Sequence, residues 1–499
     1  MNLSFSSWIK KMKPFWFACG LFGLLFIGLF SVRLGVFKTF YSVPKDKPFS
    51  IENPLSESDS WMNIFQNGRK IGYSHTTLSK GEKGYVIKET LYIRINTMGM
   101  IQDISMNTGG RLNLDYSLSS FDFEIRSGRF RFTVNGTVKD DMLSVNTQST
   151  DSSHHIDIRI KDKIYVTSGI VHAIRYDELE PGESFSFQIF DPVSMGQESI
   201  DVKVIGKEEI LNMGTLKKAK KLAIAFKGTT QQVWIGEGNE ILKEKGMLGI
   251  SFERATREDV LFGSSIESSQ DLTKVASIPS HVKIKDVRQL KRLELEINGI
   301  HQKGIHLDGG RQIFKDNILV INKETLTDLT SSLDIKRIMD IDKKFLMPSL
   351  FVQSDHPKII NLVNKIIADD DNPLERANKI VDWIQKNIEK RPVLSLPDAV
   401  STLTHRVGDC NEHAVLLAAL ARAAGIPTKV EAGLVYLNGR FYYHAWNLLY
   451  LGKWITADSL FDQIPADVTH IRLISGASSQ QADLINIIGK IKLRINKVE

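Results

Sequence analysis

The sequence predicts an α+β protein in three parts: an N-terminal membrane helix, a large antiparallel β domain and a C-terminal α+β domain. Three observations carry this reading. An uncharged apolar run spans Phe15 to Val32, segments with apolar/polar alternation follow one another between about 61 and 270, and helix-period segments succeeded by strands fill 346–499.

The run from Phe15 to Val32 is 18 residues long, which meets the minimum for a membrane-spanning helix. It exceeds the usual apolar core of a signal peptide, and no A-x-A-like cleavage site follows it. Residues 1–14 are therefore read as a short tail, 15–36 as an uncleaved anchor and 37–60 as a linker containing Pro44 and Pro54. Lys10, Lys11 and Lys13 place the tail in the cytoplasm and the large domain on the extracytoplasmic, periplasmic side of the inner membrane. Residues 1–47 hold seven Lys and Arg against the single acid Asp46, which accounts for the whole formal charge of +6. The remainder is neutral overall, so the basic balance does not indicate nucleic acid as a partner.

From Trp61 the pattern is that of strands. Met62 to Phe65 and Lys70 to Tyr73 flank an Asn67-Gly68 turn, a hairpin signature. Alternation recurs at 85–95, 121–125, 130–134 and 156–160, and further strands are read at 184–189, 199–204, 221–226 and 231–235. Strands with one wet face predict a curved sheet or open barrel over 61–270. Residues 271–345 read as a smaller β-rich connecting section that opens with Arg292 to Ile297.

Helices follow at His356 to Ala368 and Leu374 to Glu389, with Pro373 at the start of the second. Next comes Gly408-Asp409-Cys410-Asn411-Glu412-His413-Ala414. Asp409 is a good N-cap and Glu412 stands three residues on, so a capping box starts a helix whose first residue is Cys410. Ala414 to Ala424 is nearly all apolar, and Gly425 and Pro427 end the helix. At that helix mouth a thiolate is expected to be stabilised relative to the free-cysteine value of about 8.5.

Cys410 alone would read as a small buried apolar residue. His444 and Asp458, on the strand-like segments Phe441 to Trp446 and Lys453 to Asp458, change that. A thiol, an imidazole to take its proton and a carboxylate to orient the imidazole form a nucleophilic triad. A zinc site from Cys410, His413, His444 and Asp458 has suitable ligand types but lacks a second short-spaced pair. Neither a metal nor another cofactor is implied. The only other cysteine, Cys19, lies in the apolar run, so no disulfide is expected.

Gly408-Asp409-Cys410, Arg422 to Pro427, His444-Ala445-Trp446 and Trp454 to Asp458 together resemble the bacterial transglutaminase-like domain over roughly 370–476. The resemblance implies a papain-like cysteine fold for 346–499, with the triad roles on Cys410, His444 and Asp458. Asn447, where an acid often follows His-Ala-Trp, and Ser459-Leu460, in place of Pro-Thr, depart from the pattern in a way that bears on substrate choice. The expected function is membrane-anchored thiol acyl transfer on peptide or protein amides, as a peptidase, amidase or transglutaminase. The alternative is a non-catalytic peptide-binding scaffold that keeps the fold.

One expectation is geometric. A three-residue hairpin loop, Tyr450-Leu451-Gly452, would set His444 directly opposite Asp458, with Cβ atoms about 4.5–5.5 Å apart.

Overall fold

A computed structural model describes residues 57–128, 130–148, 153–165, 170, 179–191, 196–300, 305–326, 343–368, 371–393, 397–476 and 487–499. The tail, the anchor and most of the linker lie outside these residues. Among the described residues no helix is long and apolar enough to cross a membrane.

The alternating segments build one sheet of fifteen strands. Eight form a meander from Ser58–Gln66 to Ser153–Arg159. The first of these pairs on its other side with Ile250–Ala255, and the sheet then runs back through the later strands to Ile164–Tyr165. Every pairing is antiparallel except that of Ile164–Tyr165 with Ser184–Asp191. Asn67 and Gly68 both take positive φ, 49° and 84°, as the tight hairpin turn requires. The inner face is filled rather than open. Leu78, Ile87, Val134 and Leu143 form one buried cluster, and Val202, Leu222, Val233 and Ile235 another. Phe121 and Phe190, from opposite halves of the sheet, meet with ring centroids 5.2 Å apart. Two hairpins of this domain reach the C-terminal part. Gln102 donates to the Pro392 carbonyl at 3.1 Å, and Phe130 lies 5.4 Å from the His405 ring.

In the C-terminal part, helix Cys410–Ala423 is wrapped by helices Pro357–Ile366, Pro373–Asn387 and Ala399–His405. Its residues from Glu412 to Ala421 are buried, as the continuous apolar run demands. The assembly packs on a five-stranded sheet in which Arg440–Tyr450 lies between Ile278–Pro279 and Thr428–Leu437, with Ile471–Gly476 beyond and Trp454–Ala457 also paired to Arg440–Tyr450. The opposite face of this sheet is covered by a second, four-stranded one, so that Leu295 and Ile321 share a core with Leu434, Phe441 and Leu473.

The C-terminal strand Lys492–Val498 pairs with Arg292–Asn298, within the four-stranded sheet. The described residues between 271 and 326 therefore share a packed core with the sheet of Arg440–Tyr450, and they supply its edge strand at Ile278–Pro279.

Gly433 pairs with His444 on one side and Arg472 on the other. A Cβ there would sit 1.9 Å from the Ile471 carbonyl oxygen, backbone that cannot rotate aside. Gly433→Ala is expected to cost about 1–3 kcal/mol, as overpacking of a tight interior does. A melting temperature unchanged from wild type would contradict the close approach.

Candidate functional site

The helix that presents Cys410 begins as its sequence requires. The Asp409 carboxylate accepts from Asn411 N–H at 3.0 Å, and the Glu412 carboxylate accepts from Asp409 N–H at 3.0 Å, closing the capping box. Cys410 is the first helical residue and is half-buried. The expected low thiol pKa is not what this environment produces. Burial first, then the Asp409 carboxylate, push the Cys410 thiol well up, and Glu412 and Asp458 add to the effect. A hydrogen bond from the Ala445 backbone works the other way. The same acids that cap the helix stand beside the sulfur, so the dipole contribution is opposed by the cap itself. Burial and Asp409 likewise push the Glu412 carboxyl well up.

The Ala445 contact places Cys410 against the strand that carries His444. His444 is buried, and its Nε2 donates to Asp458 Oδ2 at 2.7 Å. That leaves Nδ1 on the other side of the ring. Phe461 stacks on the imidazole, with centroids 4.8 Å apart at 22°, and fixes its plane.

The hairpin loop is odd, as expected, but it is Leu451-Gly452-Lys453, closed by Tyr450↔Trp454 pairing and centred on Gly452 at φ 96°. The register therefore differs by two residues from the one expected. His444 and Asp458 are not directly opposed. The ladder ends at Asn447↔Ala457, and its continuation sets Asp458 across from Trp446. A shift of two keeps every side chain on its face, so Asp458 still reaches His444 along the diagonal.

Asp458 holds a second histidine that the sequence reading missed. His470 Nε2 donates to the same Oδ2 at 2.9 Å, while Oδ1 accepts from Leu460 N–H at 2.8 Å and Phe461 N–H at 3.1 Å. Burial disfavours the charged carboxylate, yet His444 and His470 outweigh it and hold Asp458 far below the usual carboxylate range. Asp467, on the far side of His470, is also held low by His470 against its own burial, with Thr469 and Gln463 donating as well.

Asn447 and Ser459, the two departures from the family pattern, are buried and serve the packing. Buried Asn447 donates from Nδ2 to the Ala414 carbonyl at 2.9 Å, and buried Ser459 donates to the His413 carbonyl at 3.3 Å. Both tie the Cys410 helix to the His444 and Asp458 segments. Gln385 donates to the Ser459 carbonyl and clamps the same turn. His413 donates from Nδ1 to the Asp409 carbonyl at 2.8 Å, and burial lowers its pKa, so it is a neutral helix-binding residue. His444 and His470 are joined through Asp458 Oδ2, and Trp446 beside them donates to buried Glu431 at 3.1 Å.

Residues 360–459 match the transglutaminase-like superfamily, and the chain carries a transglutaminase-like domain there. No curated protein matches the chain. Among solved structures, a proposed cysteine protease from Cytophaga hutchinsonii is 20% identical, with 42% of this chain and 86% of that one covered at a TM-score of 0.26. A β-barrel-like protein of a domain of unknown function from Brucella abortus is 8% identical, with 41% and 97% covered at a TM-score of 0.32. A proposed protease from Parabacteroides distasonis is 12% identical, with 73% and 65% covered at a TM-score of 0.19.

Proposed function

We propose that this protein is a membrane-anchored thiol acyltransferase acting on peptide or protein amides through Cys410, His444 and Asp458. One observation carries the reading most: His444 is fixed by a 2.7 Å bond to Asp458, on the strand whose next residue, Ala445, meets the Cys410 sulfur at the mouth of a helix. In this scheme His444 takes the thiol proton as Cys410 sulfur attacks the amide carbonyl. The carbonyl becomes a tetrahedral oxyanion, for which the unpaired N–H of Cys410 at the first helical position is a suited donor. Collapse breaks the C–N bond, and the proton on His444 passes to the leaving amine, leaving a thioester on Cys410. Water then releases the acid, or an amine forms a new amide, with His444 taking the proton of either nucleophile. Because burial and the Asp409 carboxylate raise the thiol, the Cys410 proton has to be taken up as the sulfur attacks, the role His444 fills as general base.

That same raised thiol is what a non-catalytic peptide-binding scaffold would tolerate. Incubating the full chain with a mixed peptide pool, with and without a primary amine, and following masses separates the readings. Cleaved or deamidated peptides indicate hydrolysis and amine adducts indicate transfer, while an unchanged pool overturns the enzymatic reading.

The placement in the membrane rests on the apolar run from Phe15 to Val32 and the lysines before it. Protease added to intact spheroplasts is expected to remove the C-terminal domain. Full protection of that domain would contradict the periplasmic orientation.

A further inference from the structure

We propose that His470 is an imidazolium clamped between Asp458 and Asp467, a positioning residue that fixes Asp458 for His444 and sets the pH range in which Cys410 and His444 exchange a proton. The proposal rests on the Cys410–His444–Asp458 reading and extends it inward by two residues.

The geometry leaves little choice of protonation state. Nε2 of His470 faces Asp458 Oδ2 at 2.9 Å, and Nδ1 faces the Asp467 carbonyl at 3.3 Å and its Oδ1 at 3.4 Å. Both ring nitrogens thus point only at acceptors. A neutral imidazole carries one N–H, so one of its lone pairs would oppose an oxygen lone pair in a site with no exposure at all. Protonation at both nitrogens satisfies both contacts. Burial works against this charge, but the bonds to Asp458 and Asp467 outweigh it and hold the His470 pKa above its ordinary value.

The charges around the ring fit the assignment. His444 lies 5.8 Å away, centroid to centroid, on Arg440–Tyr450. The Trp446 and Phe461 rings meet His470 edge-on and bring no charge. On the remaining side a small cavity is lined by Arg311, Arg472, Glu324 and Glu431, whose two positive and two negative charges cancel. Arg311 also donates to the carbonyls of Ala466, Asp467 and His470, pinning the loop that carries the clamp. Asp458, Asp467 and a charged His470 together carry one negative charge, which a protonated His444 neutralises. The cluster thus presents one net negative charge to the His444 ring, which steadies the imidazolium that forms when the thiol proton is transferred.

Alkylation of Cys410 by iodoacetamide, followed by mass across the pH range in the full chain, reads both limbs of the thiol–imidazole titration. His470→Gln keeps an N–H for Asp458 and removes the charge. Losing a buried cation makes each proton of the pair harder to remove, so both limbs are expected to move to higher pH by about one unit or more. Superimposable profiles from a folded variant overturn the proposal. A wild-type profile that tracks an ordinary thiol, and is indifferent to His444→Ala, overturns the triad reading instead. Should His470→Gln fail to fold, nitrogen-15 spectra of histidine-labelled wild-type chain decide. One of the twelve histidines is expected to stay doubly protonated after the exposed ones have titrated, and its absence overturns the proposal.

Discussion

Replacing Asp458 with Ala is expected to lower the acyl-transfer rate about 10⁴-fold, the size of effect seen when a triad carboxylate no longer selects the histidine tautomer. The same change is expected to destabilise the domain by about 3–5 kcal/mol, because it strips a buried charged network of one partner. Both costs follow from one oxygen: Oδ2 receives the His444 and His470 rings at 2.7 and 2.9 Å. Without it, His444 can turn its ring and His470 retains only the longer contacts to Asp467. Melting curves and single-turnover kinetics on the full chain check the two effects separately. A variant that melts like wild type would mean that the network adds no stability.

The stability has a pH signature. Asp458 and Asp467 have folded pKa values below their unfolded ones. Each therefore contributes stability that is fully present above the unfolded value of about 3.9 and is lost as pH falls toward the folded value. Asp458→Asn is expected to flatten the acid side of the melting profile below about pH 4.

Cys410→Ala is expected to abolish acyl transfer, by about 10⁴-fold or more, while leaving the melting temperature within a few degrees of wild type. Cys410 is half-buried at the first turn of a helix whose caps, Asp409 and Glu412, remain in place, so truncation removes a thiol and little packing. Substrate turnover by this variant would assign the chemistry to another residue. Retained binding of peptide without turnover is what loss of the nucleophile alone predicts.

Much of the site was legible because its parts are local. The caps of the Cys410 helix, its apolar body and the Gly425 stop all lie in one continuous stretch, and they form as read. The hairpin joining His444 to Asp458 is also local, and its odd loop was readable. Which residue stands at its centre was not, since Leu451 and Gly452 differ by one position and only the side chains that pack decide between them. Gly452 takes the centre, at φ 96°, where glycine is least strained. His470 escaped because it sits in a loop with no period, 12 residues beyond Asp458. A signal was nonetheless present: Asp467 is two residues before Thr469 and accepts from its N–H at 2.8 Å, a side-chain turn that such a pair favours. The partner of the C-terminal strand was illegible for a different reason. Alternation identifies a strand but not its neighbour, and Arg292–Asn298 lies about two hundred residues upstream.

The central claim is that His444 makes Cys410 a nucleophile, and the environment of the sulfur gives that claim a sharp test. Burial and the Asp409, Glu412 and Asp458 carboxylates all push the thiol up. Fast reaction of Cys410 near neutral pH therefore has to come from His444. The measurement is the alkylation rate of Cys410 at pH 7 in the folded full chain, in the same chain unfolded in urea, and in folded His444→Ala. The account predicts that folded wild type reacts faster than the unfolded chain and that His444→Ala reacts about tenfold or more slowly than wild type, the low end of what a positioned base supplies. Equal rates in wild type and His444→Ala, or a folded wild type slower than the unfolded chain, would contradict it.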